Sequence, residues 1–305
     1  MLQKYDERNA DLRYWVNGEL LHRDRPGLSP FDSVVQGGDA VWEGLRLYRG
    51  AIFGLHEHLA RLRRSATALN FAHVPGDDEI VAAVVATLRA NDMYDGVHVR
   101  LTLTRGVKVT SGMDPRLNTT GPTLIVLAEH KSPVYDTSGL RLATASVRRP
   151  GPDVLDPKIH HANLLNSILA KIEATAAGAD DALMLDRRGF VAETNATHLF
   201  AVGNGGLVTP TTAACPEGIT RQTVLDLAAR AGIGSEVRDV SLTEMYNADE
   251  VFCTGTMGEI AGVTVIDGRT IGGGEVGAVT RRIAGMYQEH AAANGVRLGL
   301  EPVAG

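Results

Sequence analysis

One lysine could supply an amine for covalent chemistry, in a chain of 305 residues that has only five lysines beside 25 arginines. Lys158 follows a proline in the turn-like stretch 156–162, just before an apolar helix. A lysine that forms a Schiff base must be neutral to attack a carbonyl, and partial burial lowers its pKa in that direction. On this stretch alone, an ordinary surface lysine in a loop is the better explanation.

An acidic residue follows an apolar alternation further along the chain. Glu193 ends the predicted strand 189–193 and is followed by small polar residues. A carboxylate at the end of a strand can face a protonated heterocyclic nitrogen and stabilise its charge. Taken by itself, a solvated glutamate at the edge of a hairpin explains the pattern better.

Two short segments could bind an anion. Ile219 and Thr220 open a predicted helix, where free backbone N–H groups and the helix dipole favour a phosphate. Thr256 and Met257 lie in a Gly/Thr turn after a strand, and such turns can hold an oxyanion among their amides. Ordinary capping or turn chemistry explains each segment equally well. Together, the four segments offer what pyridoxal phosphate needs: an amine, an acid for its ring nitrogen, and donors for its phosphate.

The elements that position these segments are predicted from turn residues and apolar periodicity. Two dipeptides separate short strands and predict hairpins, namely Asn17-Gly18 and Arg49-Gly50. One helix is predicted to have Asp77 or Asp78 as its N-cap and to end near Asn91. The other helices are predicted at 56–69, 163–177, 219–231, 242–247 and 277–293. Strands and further hairpins are predicted at 97–104, 123–127, 140–147, 181–193, 250–253 and 261–271.

Length and composition predict a globular protein of about two domains, at roughly 150 residues each. A net charge of −6 and a hydrophobic fraction of 44% exclude a disordered, collagen-like or disulfide-scaffold chain. Neither half of the chain is basic, which argues against a nucleic-acid-binding protein. We place a small N-terminal α+β domain at 1–128, a polar, turn-rich linker at 129–139 and a larger domain at 140–305.

Missing motifs exclude several classes. The chain has no G-x-G-x-x-G after a strand, no P-loop and no G-x-S-x-G nucleophile elbow. Cys215 and Cys253 have no histidine partners at zinc spacing, and we predict no metal site. No apolar run is long enough to span a membrane, and the N-terminus lacks the apolar core of a signal peptide, so we expect a cytoplasmic protein.

These segments, in this order, resemble the class IV (fold-type IV) pyridoxal-phosphate aminotransferases, and among them the branched-chain amino-acid group. The resemblance covers nearly the whole chain and is carried by residues 38–46, 58–62, 156–165, 182–193, 218–221 and 252–259. It implies a two-domain α/β (α+β) fold in which the larger, cofactor-binding domain has a β-barrel-like core and flanking helices. It also implies a homodimer with active sites near the subunit interface.

The resemblance implies roles for residues at the matching positions. Lys158 would hold pyridoxal phosphate as a Schiff base and shuttle a proton, and Glu193 would keep the pyridine nitrogen protonated. The phosphate would be bound by four residues: Arg61, Ile219, Thr220 and Thr256. Asn163 stands in the region where the family has a tyrosine that contacts the cofactor.

Substrate recognition is implied at Arg100, where the family binds the substrate carboxylate, with help from the amides of the Thr256-Met257 turn. An ordinary ion pair at a strand edge is the alternative for Arg100. The chain departs from the branched-chain pattern around the substrate at Gly37, His98, Asn163, His198 and Met257. We therefore expect intact cofactor chemistry, whereas branched-chain specificity does not transfer with the resemblance. A histidine in the pocket either binds a more polar substrate or fills space beside the ring.

The predicted reaction moves an amino group between an amino acid and a 2-oxo acid such as 2-oxoglutarate. Branched-chain or other apolar L-amino acids are the favoured donors. The alternatives in the same fold are a D-amino-acid or (R)-amine:pyruvate transaminase and an aminodeoxychorismate lyase-like enzyme. A homologue that binds the cofactor without turnover is the alternative that is not an enzyme.

Overall fold

The structure of the chain, a computed structural model, describes residues 5–132 and 138–301. These residues form two compact units. The first unit contains residues 5–132, 159–163 and 294–301, and the second contains 138–158 and 164–293. The domain limits given above stay a prediction, and residues 133–137 of the predicted linker lie outside the described residues.

Helices and strands are numbered in chain order within the described residues. Helices α1 to α7 span Ser33–Gly37, Leu55–Ala68, Asp77–Ala90, Leu165–Ala176, Ile219–Arg230, Leu242–Tyr246 and Ala278–Ala293. Strands β1 to β16 span Arg13–Val16, Glu19–His22, Ala40–Tyr48, Ala51–Ile52, Val97–Thr104, Thr123–His130, Leu140–Thr144, Asp181–Leu185, Val191–Thr194, His198–Gly203, Gly206–Thr209, Ser235–Val237, Glu250–Gly255, Glu259–Ile266, Arg269–Thr270 and Val296–Arg297. None of the described helices is long and apolar enough to cross a membrane.

The first unit is built around an antiparallel sheet with the strand order β16-β4-β3-β5-β6-β1-β2. One face is apolar, because Val41, Leu45 and Leu47 of β3 are fully buried in a core shared with α2 and α3. Successive side chains along a strand point to opposite faces, so Trp42 and Arg46 lie on the other face. Both predicted hairpins are confirmed, with positive φ at the turn residues Asn17, Gly18, Arg49 and Gly50.

The second unit contains a sheet with the strand order β12-β11-β10-β13-β14-β7-β8-β9, and β15 pairs with β14. A short turn joins the edge strand β9 back to the interior strand β10, where the Thr194 N–H donates to the Thr197 carbonyl at 2.7 Å. The sheet therefore curls on itself, and apolar side chains of α4, α5 and α7 pack against it. The mixed α/β fold with a barrel-like core and flanking helices is confirmed.

Several element boundaries differ from the prediction. The sequence does not predict β10, because this strand is buried on both faces and lacks the polar alternation of a half-buried strand. The N-cap of α3 is Gly76 rather than Asp77 or Asp78, and both aspartates lie in the first turn, where the helix dipole stabilises them. Helix α4 begins at Leu165, two residues later than predicted.

Candidate active site

Glu193 belongs to a buried ion pair in the second unit. Strand β9 carries it, paired with Met184 of β8, and Nη2 of Arg149 lies 2.6 Å from its Oε1. Burial raises the pKa of Glu193 to about 7, although the Arg149 guanidinium opposes that shift. A second cation beside this carboxyl would favour its ionised form. Glu193 is therefore suited to face a positively charged ring nitrogen.

A histidine and a cysteine flank this carboxyl. The ligand atoms of Glu193, His198 and Cys215 all lie within 4.8 Å of one another. Sequence spacing gives Cys215 no histidine partner, but the fold supplies one, because β10 brings His198 beside it. Burial raises the pKa of the Cys215 thiol and so disfavours the thiolate that metal ions bind. Glu193 also has one oxygen engaged by Arg149, so the cluster suits hydrogen bonding better than a metal ion.

Lys158 lies in the same unit, in the loop before α4. Its side chain is 52% exposed, and its Nζ lies 4.0 Å from Oε1 of Glu217. The backbone N–H of Lys158 donates to Oδ1 of Asp156 at 3.0 Å, so the lysine is held in a turn. Glu217 stands two residues before α5, and the Lys158 amine is therefore close to the start of that helix.

The start of α5 has the features of an anion site. Its N-cap, Gly218, provides no side-chain cap for the first amides, which include those of Ile219 and Thr220. A Cβ at Gly218 would lie 2.5 Å from Cε1 of His198, so only glycine fits between the helix and that ring. The Arg221 guanidinium is used elsewhere, since it donates to the Pro210 carbonyl and to Thr209.

The turn at 256–258 joins β13 to β14 and lies beside the same group. The strand register pairs Thr254, just before the turn, with His198. Oγ1 of Thr254 is buried and has no hydrogen-bond partner among the described residues. The second unit thus brings the Thr256-Met257 turn, the start of α5, Lys158 and Glu193 around His198. An amine, a carboxylate and two groups of backbone donors are the components of a pyridoxal-phosphate site.

Arg61, a further predicted phosphate ligand, lies in the first unit on α2 and is already paired. Its Nε and Nη2 lie 2.8 and 2.6 Å from the two oxygens of Glu43 on β3. Nδ1 of His58, one helical turn earlier, lies 2.6 Å from Oε2 of the same carboxylate. Burial opposes ionisation of Glu43, but the surrounding charges and hydrogen bonds outweigh it and hold the pKa of Glu43 well below its usual range.

His98 and Arg100 lie on β5, on the sheet face of the first unit that is turned away from the apolar core. The Arg100 guanidinium lies 4.0 Å from the centre of the Trp42 ring, and among the described residues no carboxylate pairs with it. Both ring nitrogens of His98 are buried without a hydrogen-bond partner. Burial and three nearby cations lower the pKa of His98 to about 3, so its ring is neutral. These cations are Lys131, Arg100 and Arg46.

The remaining predicted positions are exposed parts of the first unit. Gly37 ends α1, and Asn163 is exposed close to Gly38, where an added Cβ would lie 3.9 Å from the asparagine. The predicted residues therefore fall into two groups. The second unit holds Lys158, Glu193, Ile219, Thr220, Thr256 and Met257, and the first holds Gly37, Arg61, His98, Arg100 and Asn163.

Comparison with known proteins decides the family. The sequence pattern described as Amino-transferase class IV matches residues 40–266. The chain belongs to the class IV aminotransferases. It is 54% identical over 289 residues to branched-chain-amino-acid aminotransferase-like protein 2 of Arabidopsis thaliana. The match covers 94% of this chain and 52% of that relative. The chain thus spans about half the length of that relative and of its companion, protein 1.

Two further comparisons cover nearly the full length of both partners. The chain is 32% identical over 283 residues to the D-alanine aminotransferase of Bacillus licheniformis, covering 91% of the chain and 96% of the relative. It is similar to the crystal structure of the branched-chain amino acid aminotransferase from Thermobaculum terrenum in its PLP-form, with a TM-score of 0.83 and 30% identity. That match covers 93% of this chain and 95% of the other.

The sequence interpretation misses two buried charged residues, one in each unit. Glu43 interrupts the alternation of Val41 and Leu45 on β3, a pattern that places it on the buried face and that could have revealed it. Arg149 carries no such signal. It follows β7 in a loop, and only the parallel pairing of β7 with β8 brings it beside Glu193.

Proposed function

We propose that this chain is a pyridoxal-phosphate-dependent aminotransferase. It moves an amino group between a branched-chain or other apolar L-amino acid and a 2-oxo acid such as 2-oxoglutarate. The observation that carries the proposal is the buried Glu193–Arg149 pair, whose neighbour His198 contacts the start of α5. Membership of the class IV family and the branched-chain names of the similar proteins support the reaction and the donor class.

The second unit fits the cofactor in its charge and donor set. Pyridoxal phosphate supplies an aldehyde for the amine and an electron-withdrawing ring that stabilises charge at the substrate α-carbon. Burial raises the pKa of Glu193 to about 7. A protonated ring nitrogen facing this carboxyl would hold it in the ionised form. Lys158 would hold the aldehyde carbon through Nζ, and its free amine would move the proton of the substrate α-carbon.

The phosphate is assigned to backbone and hydroxyl donors. The amides of Ile219 and Thr220 point out of the uncapped start of α5, where the helix dipole favours an anion. Thr256 adds a hydroxyl from the turn after β13. Arg61 is proposed to add a charge-assisted bond while its Nε and Nη2 remain on Glu43.

Substrate carboxylate recognition is assigned to the polar sheet face of the first unit. Arg100 is half-buried with no carboxylate partner among the described residues, and a buried guanidinium without a counter-ion attracts an anion. His98 adds one donor and one acceptor, since its ring is neutral. A Cβ at Gly44 would lie 3.3 Å from Nε2 of His98, so the glycine keeps space in front of that ring.

We also propose a homodimer with the active site near the subunit interface. Four exposed apolar residues lie at i, i+3, i+4 and i+7 on α4, which defines one helix face: Leu165, Ile168, Leu169 and Ile172. Such a stripe on the surface indicates a contact with another protein chain. Ile168→Glu should yield monomers in analytical ultracentrifugation, whereas Val237→Glu, at a site of equal exposure on β12, should leave the dimer intact. A monomeric wild-type protein would rule this assembly out. A cytoplasmic location stays a prediction.

The deciding experiment combines absorption spectroscopy with donor and acceptor screens. The purified chain loaded with pyridoxal phosphate should show a visible absorption band that L-leucine bleaches and 2-oxoglutarate restores. Lys158→Ala should abolish the band, with Lys171→Ala as a matched control in the same unit. A band without any response to amine donors would reveal a homologue that binds the cofactor and has no turnover.

A D-amino-acid transaminase is the second candidate, and the similarity to D-alanine aminotransferase over nearly the full chain favours it. Its outcome in the same assay is bleaching by D-alanine and not by L-leucine. A response to (R)-amines alone, or release of pyruvate from aminodeoxychorismate without an acceptor, would identify the remaining alternatives.

A further inference from the structure

We propose that Glu43 is a positioning residue for two parts of the cofactor site, namely Arg61 and the segment 159–163 that directly follows Lys158. This inference rests on the proposed function. Glu43 is fully buried on β3, at a position whose neighbours on the same face, Val41 and Leu45, are apolar. It touches neither of the predicted substrate groups of β5, and its role is therefore exerted through the side chains that it holds.

The first contact fixes the orientation of Arg61. The guanidinium donates through Nε and Nη2 to the two carboxylate oxygens at 2.8 and 2.6 Å, which is the bidentate geometry of a strong arginine–carboxylate pair. His58, one turn earlier on α2, donates through Nδ1 to Oε2 at 2.6 Å and stops the carboxylate from rotating. Arg61 is thereby held in one rotamer before any phosphate arrives.

The second contact fixes the segment after Lys158. Nδ1 of His160 lies 3.3 Å from Oε1 of Glu43 and 2.5 Å from the Trp42 carbonyl. Both partners are acceptors, so the proton of the neutral ring is on Nδ1. The ring also stacks on Trp42, with centroids 4.4 Å apart. Glu43 therefore holds the side chain two residues beyond Lys158.

Backbone bonds extend this anchor along β3. The Trp42 N–H donates to the His160 carbonyl at 3.0 Å, and the Ala162 N–H donates to the Ala40 carbonyl at 2.8 Å. The His160 N–H donates to Oγ of Ser65 on α2 at 3.0 Å. Residues 160–162 thus pair with the start of β3, next to Glu43 on the same strand.

Stability alone does not account for a carboxylate at this position. Replacing a buried charged group by apolar residues of similar volume is often neutral or stabilising, so a buried ion pair is weak evidence for a stabilising role. The apolar neighbours of Glu43 on β3 show that the position suits a packed aliphatic side chain. What such a side chain cannot do is orient a guanidinium and an imidazole that lie on two different segments.

The experiment compares Glu43→Gln with the wild-type chain in cofactor binding, independently of turnover. Dissociation constants are measured for pyridoxal phosphate and for pyridoxal, which lacks the phosphate. The attachment rate of pyridoxal at Lys158 is followed by borohydride trapping and peptide mass. The phosphate advantage is the dissociation constant of pyridoxal divided by that of pyridoxal phosphate. Glu43→Gln should lower this ratio by about tenfold, because a neutral amide orients Arg61 less well. It should also slow the trapping of pyridoxal at Lys158.

One further variant separates the contact with Arg61 from the contact with His160, and another serves as a stability control. His160→Phe keeps the stack on Trp42 but removes the contact with Glu43, so it should slow trapping at Lys158 and leave the phosphate advantage unchanged. Leu88→Ala, in the same core but away from the charged group, should leave both quantities at wild-type values while it lowers stability. If Glu43→Gln does not fold, Glu43→Asp provides the same readouts, because its side chain is one methylene shorter and its carboxylate lies farther from Arg61 and His160.

The outcomes distinguish this inference from the proposed function. A Glu43→Gln or Glu43→Asp chain that is less stable, but keeps the wild-type phosphate advantage and trapping rate, would show a purely structural role and overturn the inference. A wild-type chain that does not attach pyridoxal phosphate at Lys158 would instead overturn the proposed function.

Discussion

The two units each bury one glutamate beside an arginine, and the two carboxyl groups respond in opposite ways. Glu43 accepts hydrogen bonds from Arg61 and His58, lies near His160, and has a pKa well below its usual range. Among the residues that the structure describes, Glu193 has only Arg149 to offset its burial, and its pKa rises to about 7. Both carboxyls are buried to a similar extent, so the number of hydrogen-bond donors and cations around each one decides the direction of its pKa shift.

The difference indicates what each carboxyl can still do. A carboxylate whose oxygens are all occupied can hold other side chains in place, but it has little to gain from a ligand. A carboxyl with too few donors gains from a cationic ligand, because the ligand completes its hydrogen bonding and charge balance. We therefore read Glu43 as a group that serves the fold of the site and Glu193 as a group that serves the cofactor.

The largest expected effect concerns activity. Glu193→Gln should lower kcat by about 10²- to 10⁴-fold, as for loss of a group that controls a proton, because a neutral amide cannot keep the ring nitrogen protonated. The measurement is steady-state transamination at saturating cofactor, with Asp181→Asn on the neighbouring strand β8 as a control for general disturbance. Near-normal turnover of Glu193→Gln would contradict the contrast between the two carboxyls.

The next effect concerns stability when each arginine partner is removed. Arg61→Met should cost about 3–5 kcal/mol in the cofactor-free chain, the usual loss when a buried charge is left unpaired. Arg149→Met should cost less, about 1–2 kcal/mol, because Glu193 can take up a proton near neutral pH and escape the burial of an unpaired charge. Urea unfolding, with hydrogen exchange in α2 and β9 to identify the unit, measures both losses. Equal costs would show that the two carboxyls do not differ in this way.

How much of this contrast the sequence contains depends on how local each feature is. Turn pairs such as Asn17-Gly18 and the apolar spacing of α2 act within a few residues, and both are predicted correctly. The charge interrupting the apolar face of β3 is local as well, and it could have predicted a buried Glu43. By contrast, the pKa of Glu193 depends on Arg149, a partner that lies 44 positions earlier and is brought near only by the pairing of β7 with β8.

The candidate site also combines features that are local in the sequence with contacts between distant segments. The sequence predicts roles for Lys158 and Glu193 because a resemblance supplies them, and it predicts the start of α5 because helix capping is local; the roles stay predictions. It does not predict that His198 fills the space in front of Gly218, or that Arg61 is paired before any ligand binds. Those contacts join strands and helices that are far apart in the sequence, and periodicity does not encode them.

A smaller effect appears in the pH dependence of the cofactor-free chain. The pKa of Glu193 is raised from its usual 4.5 to about 7, so its contribution to stability is complete below pH 4.5 and is lost as the pH rises toward 7. The loss amounts to at most about 3 kcal/mol. The lowered pKa of Glu43 has the opposite sign, with stability present above pH 4.5 and lost on acidification. The free energy of unfolding of Glu193→Gln minus that of wild type should therefore rise between pH 5 and 7. The same difference for Glu43→Gln should change only at acidic pH.

The smallest expected effect tests whether the contrast extends to a cation. Arg100 has no carboxylate partner among the described residues, and burial lowers its pKa. Like Glu193, whose single cationic neighbour does not offset its burial, it should therefore serve a ligand. Arg100→Gln should raise the KM for L-leucine about tenfold or more, the usual value of a charge-assisted hydrogen bond. It should have little effect on 3-methylbutylamine, the same side chain without the carboxylate. Arg63→Gln is the control, because Arg63 already pairs with Asp77 and should affect neither substrate. An equal effect of Arg100→Gln on the acid and the amine would place Arg100 with Glu43, among the charges that hold the fold of the site.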